Sequence, residues 1–240
     1  MEHSIKKLTR LYLGFLFQKI TIFIFILFLL SIFFILLYMS KLDLKNEDYV
    51  FISKYIHKNY FDQAIFILEL FNSIIIATIV ISLVINANSF DSLFISYTSR
   101  FKICISKFLA ILLVLFLLMI YEFIILIVIP LFRYSYFKIE LSHIIIFLDL
   151  ISYSLIEIII TMLVTTLFPY VITPMFFVFI SIVFKLICSN NSNFNDYASK
   201  LLPLAKVDFS GISSLGLYLA PLWIILLFLV YISVYNVKDL

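Results

Sequence analysis

Phe108 to Leu131 reads FLAILLVLFLLMIYEFIILIVIPL, 24 residues in which Glu122 is the one charged side chain. A helix crosses the hydrocarbon core of a bilayer in about 20 apolar residues, so this stretch is long enough to span. Five more windows have the same character: Ile20 to Met39, Ala64 to Ile85, Ile144 to Leu167, Tyr170 to Cys188 and Leu217 to Tyr235. The sequence therefore predicts an all-α integral membrane protein with six transmembrane helices, forming a single transmembrane domain over residues 1–240.

Composition agrees with that reading. Of the 240 residues, 65% are hydrophobic and 13% charged, with a mean hydropathy of +1.20, whereas soluble domains are about half apolar and a quarter charged. Three Gly and five Pro are too few for the turns of a barrel, and the period-two alternation of barrel strands is missing. The first apolar run follows Lys6, Lys7, Arg10 and Lys19, and Tyr38-Met39-Ser40-Lys41 offers no small-residue cleavage site, so it is expected to remain as an anchor. With the amino terminus inside, basic residues divide eight inside to nine outside, which does not orient the chain. The first span breaks the tie: its leading flank sets four bases against Glu2, whereas the loop after it balances its bases with Asp43, Glu47, Asp48 and Asp62. Both termini are thus expected on the cytoplasmic side.

Several chemistries are missing. Gly211 and Gly216 have the spacing of a phosphate cradle, but Leu217-Tyr218 stand where Lys and Ser or Thr belong, so the chain is not expected to hydrolyse ATP. His3, His57 and His143 lie near segment ends without a carboxylate pattern, and Cys104 and Cys188 have no zinc spacing. No catalytic or metal-binding set is predicted. The net charge of +3 is too small and scattered for nucleic acid.

The loop between the second and third predicted spans, Ser89 to Lys107, carries apolar residues at Phe90, Leu93, Phe94, Tyr97, Phe101, Cys104 and Phe108. Steps of three and four predict one helical face, with Asp91, Ser92, Ser96, Ser99, Lys102 and Ser106 opposite. Such a helix can lie on the inner leaflet or dock into a partner as a lever. The amino-terminal segment is amphipathic too, with Ile5, Leu8, Leu11, Tyr12 and Phe15 against Lys6, Lys7, Arg10 and Gln18. Before the last span, Leu201-Leu202-Pro203-Leu204-Ala205 to Ala220-Pro221 is apolar yet broken by Gly and Pro.

These residues resemble the membrane subunits of type-2 ATP-binding-cassette exporters. In that family the loop carries an embedded acid, then Ser-Arg, then a Lys that opens the third span. Asp91, Ser99-Arg100 and Lys107 stand at those places here. The chain departs from the pattern at Asn88-Ser89, where Gly-Thr is usual, at Tyr97, where Pro is common, and in having no Glu in the preceding turn. The resemblance implies that Phe90, Asp91, Leu93, Phe94, Tyr97, Arg100 and Lys107 form a cytoplasmic coupling helix. It further implies an inner-leaflet amino-terminal helix and a re-entrant segment before the last span. Also implied are a cytosolic ATPase subunit that holds ATP and Mg, a second permease subunit of the same or a sister chain, and no cofactor in this chain. The expected location is a bacterial cell membrane, and the expected cargo is an amphiphile such as a peptide toxin or bacteriocin.

Glu69, Glu122, Asp149 and Glu157 lie inside apolar stretches, where a charge costs at least about 2.5 kcal/mol. Asp149, Tyr153, Glu157, Thr161 and Thr165 recur every four residues as a polar stripe. Two roles fit them: hydrogen-bonded glue between helices, or a substrate path through Glu122, Tyr153, Glu157 and Thr161 that receives cationic groups of the cargo. Two other protein classes fit the same composition, a membrane immunity or sensor protein that transports nothing and an integral membrane enzyme.

Overall fold

The structure, a computed structural model, describes residues 4–42, 52–85, 91, 95, 98–133, 141–190, 198, 202 and 215–237. No strand occurs among them. The long helices are α1 (Ile5–Leu16), α2 (Lys19–Leu42), α3 (Ile52–Val80), α4 (Arg100–Arg133), α5 (Leu141–Leu167), α6 (Ile172–Asn190) and α7 (Leu215–Val237), and α3 runs on into a π-helical turn at Ile81–Ile85. Five stretches are long and apolar enough to cross a membrane: Thr21–Ser40, Gln63–Ile85, Arg100–Phe132, His143–Leu167 and Gly216–Val237. The apolar part of α6, Ile172–Cys188, is shorter. The 19 residues of the whole helix rise about 28 Å.

Ser4 caps α1 in an extended conformation, its Oγ accepting from the Lys7 amide at 3.4 Å. Leu8, Tyr12 and Leu16, one turn apart, are buried on one side, while Lys6, Lys7 and Arg10 are exposed on the other. That buried face packs against the start of α4. Among the membrane helices, α3 and α5 are central, and they carry Glu69, Asn72, Ser73, Asp149, Glu157, Thr161 and Thr165, all buried. By contrast, α2 and α7 show the surroundings large apolar side chains such as Phe23, Phe34, Leu222 and Ile225. Lipid solvates such a face at no cost, while every polar group must find a partner inside the bundle.

Two apolar clusters mark the two ends of the bundle. One gathers α1, the start of α4, the π-helical turn and the ends of α5 and α7. The other gathers the ends of α2 and α4 with the starts of α3 and α5. Successive long helices therefore alternate in direction, and α1 and the last turns of α7 lie at the same end. A link of four residues, 168–171, folds α6 back along α5.

Three expectations change. The third membrane helix begins at Arg100, two turns before its predicted start at Phe108, and α3 begins at Ile52 rather than Ala64. Backbone hydrogen bonding carries a helix past the point where its side chains turn polar, and a hydropathy window cannot register that. The amphipathic helix expected from Ser89 to Lys107 does not run unbroken: Thr98 lies in a bend and Ser99 is non-helical, its carbonyl accepting from the Lys102 and Ile103 amides at 3.0 and 3.3 Å. Ser99 is thus the cap of α4. Across this break the expected apolar face does not hold, since Phe101 is exposed while Cys104 is buried. Most of the re-entrant segment expected before α7 lies outside the described residues, as do Phe90, Leu93, Phe94 and Tyr97.

Candidate functional site

At the end of the bundle that holds α1, Asp91 is fully buried. Its carboxylate accepts from three donors on three helices: the Tyr12 hydroxyl of α1 at 2.6 Å, the Lys107 ammonium of α4 in a close ion pair, and the Tyr235 hydroxyl of α7 at 3.0 Å. Lys107 is 1% exposed, and its ammonium also sits 5.5 and 5.6 Å from the ring centres of Tyr12 and Tyr235. Burial, followed by the charge of Asp91, pushes the Tyr12 phenol well above its usual range, which keeps it a neutral donor. A buried ion pair persists only when further hydrogen bonds satisfy its remaining atoms, and the two tyrosines do that here. Beside it, Arg100 Nη1 donates to the Asn236 carbonyl at 2.8 Å, a second tie between α4 and α7.

The loop's amphipathic pattern put Asp91 on a polar outer face, and the structure puts it inside. Pattern reading assigns an acid to solvent by default, whereas Lys107, Tyr12 and Tyr235 make a polar interior for this one. Asp91 and Lys107 therefore hold the loop in place and present no charge outward.

The second constellation lies within the bundle, where α3, α5 and α6 meet. Lys185 of α6 is buried and donates to Ser73 Oγ at 2.6 Å, to the Glu69 carbonyl at 3.0 Å and to Glu157 Oε2 at 3.2 Å. Its ammonium lies 4.6 Å from the Tyr153 ring centre, and the Tyr153 and Ser181 hydroxyls are 3.3 Å apart. Next to these groups is a cavity of about 210 Å³ lined by Tyr153, Ile156, Glu157, Ile160, Phe177 and Phe184, among others.

Of the four residues expected on a substrate path, the structure brings Tyr153 and Glu157 together at this cavity. Thr161 is buried, and its hydroxyl turns back to the Glu157 carbonyl at 2.7 Å, as Thr165 does to Thr161. Glu122 lies elsewhere, buried on α4, with its Oε2 accepting from Asn72 of α3 at 3.2 Å. No group of three or more His, Cys, Asp or Glu that could hold a metal ion occurs among the described residues.

Sequence reasoning passed over Lys185, Tyr12 and Tyr235. The predicted span from Tyr170 to Cys188 contains Lys185, yet the count of nine outer bases includes it. Its register gives the better answer, for Pro174, Val178, Ser181, Lys185 and Cys188 follow one another in steps of four and three and are all buried, so the lysine sits on the inward seam of α6. Nothing in the pattern marks Tyr12 or Tyr235 as partners of an acid 79 and 144 residues away in sequence.

The fold and its apolar helices define a multi-pass, all-α membrane protein. No protein-family model matches the chain, and comparison with curated proteins finds no match.

Proposed function

We propose that the chain is the permease subunit of an ATP-binding-cassette exporter of the type-2 kind, carrying an amphiphilic substrate, a peptide in the first instance, out of a bacterial cell. Hydrolysis of ATP takes place in a separate cytosolic subunit, and this chain is no enzyme. The observation that carries the reading is the Asp91 cluster: one buried carboxylate links the loop to α1, α4 and α7. A push on the loop by a partner would reach three helices at once. A loop meant only to rest on a leaflet has no need of an ion pair buried against three helices.

In this proposal α6 is the sixth crossing, and α1 and the last turns of α7 mark the cytoplasmic end. The apolar faces of α2 and α7 meet lipid and a second permease subunit. Tyr153 and Glu157 belong to the substrate path. An ATPase subunit encoded beside the chain is expected, and the test is co-purification: the tagged chain, expressed with that subunit, should retain it through size exclusion. Elution of the chain alone would contradict the reading.

A further inference from the structure

Glu157 is 3% exposed, and one of its two carboxylate oxygens is unused. Oε2 accepts from Lys185, while Oε1 has no hydrogen-bond partner among the described residues. A buried carboxylate oxygen without a donor is costly, and Lys185 does not relieve it. The two shorter bonds of Lys185 go to Ser73 Oγ and the Glu69 carbonyl, and the bond to Glu157 is the longest of the three. The ammonium is therefore held by α3 whether or not Glu157 also holds it.

Glu157 lines the cavity between α5 and α6 together with Tyr153 and Ser181, and the remaining wall is apolar, from Ile156, Ile160, Phe177 and Phe184. The Tyr153 ring already accepts one ammonium against its face. At about 210 Å³ the cavity is smaller than the roughly 300–1,000 Å³ of sites that enclose a drug-sized ligand. It has room for a head group and the start of a chain. The rest of such a chain has apolar company outside, since Phe176 and Phe179 of α6 are exposed.

We infer that this cavity binds the primary-ammonium group of an apolar-chained ligand, with Glu157 Oε1 and the Tyr153 and Ser181 hydroxyls as its acceptors. Lys185 stays on Ser73, the Glu69 carbonyl and Glu157 Oε2, and the ligand takes Oε1. A neutral head leaves Oε1 without a charged donor, and an anionic head brings it no donor at all. The inference deepens the permease proposal by naming the cargo chemistry, and its test needs no ATPase. A failed titration therefore removes the ligand class, while a failed co-purification removes the partner.

The full chain in phosphatidylcholine nanodiscs is titrated with dodecylamine, which is protonated near pH 7, and with 1-dodecanol, the signal of empty discs being subtracted. Dodecylamine should bind about tenfold more tightly than dodecanol, the scale of one charge-assisted hydrogen bond. Glu157→Gln should remove most of that preference. Ile160→Trp, which fills the cavity, should weaken both ligands. A lysine-containing amphipathic peptide compared with its lysine-acetylated form tells whether the ammonium can arrive on a peptide: a preference for the free lysine extends the site to peptide cargo, and equal binding restricts it to aliphatic amines. Equal binding of dodecylamine and dodecanol to the natural chain overturns the inference, as does a preference that persists in both Glu157→Gln and Ile160→Trp.

Discussion

Lys107 and Asp91 form an ion pair with both side chains out of solvent, across the helix break at Thr98–Ser99. The pair closes the loop onto the helix that follows it, and the hydroxyls of Tyr12 and Tyr235 complete its shell.

Removing one member of this pair should be costly. Asp91→Asn leaves the Lys107 charge buried without its counter-ion, a loss of about 3–5 kcal/mol for a buried pair. Replacing both, as Asp91→Asn with Lys107→Met, should cost less than the sum of the single changes. Thermal unfolding of the four forms in nanodiscs measures the coupling, and strict additivity would show that the pair does not act as a unit.

The neutral bond from the Tyr121 hydroxyl to the Leu29 carbonyl, at 2.7 Å, joins α4 to α2 in a part-buried place. Tyr121→Phe should cost about 0.5–1.5 kcal/mol, well below the cost of Asp91→Asn. A loss as large as that of Asp91→Asn in the same unfolding assay would mean that the ranking of these two sites is wrong.

Arg100→Glu reverses a charge that ties α4 to the Asn236 carbonyl beside the loop. Combined with Phe94→Ala, it should reduce retention of the ATPase partner and its turnover in liposomes while leaving membrane insertion intact. Unchanged pull-down and unchanged turnover would remove these residues from the contact.

Sidedness follows from the basic amino-terminal flank and the alternation of the helices. With Cys104 and Cys188 replaced by Ala, single cysteines at Lys54 and Asn191 should react with an impermeant thiol reagent from outside, and cysteines at Lys102 and Leu240 only after the membrane is opened. Reaction of position 102 from outside intact cells reverses the assignment.

The bundle itself was legible in the sequence, because runs such as Phe108 to Leu131 have no stable place except lipid. The amphipathic face of α1 was legible in part: Leu8 and Tyr12 of the expected apolar residues are buried, together with Thr9 and Leu16, while Ile5, Leu11 and Phe15 are half-buried. The four intramembrane acids could be located, but their partners could not. Glu157 meets Lys185 across 28 residues and Glu122 meets Asn72 across 50, and only the packing of α5 against α6 and of α3 against α4 brings those residues together. The break at Ser99 was hidden for another reason: the three-and-four spacing continues through it, and a single bend leaves no mark on periodicity.

In the proposed role, this chain turns ATP hydrolysis in a partner into movement of an amphiphile. The most direct measurement is ATP-dependent transport of a fluorescent cationic amphiphile in inside-out vesicles that hold the chain and its ATPase subunit. Accumulation should need ATP and both subunits and should fall sharply with Arg100→Glu. Accumulation that proceeds equally without ATP, or with the ATPase subunit alone, would contradict it.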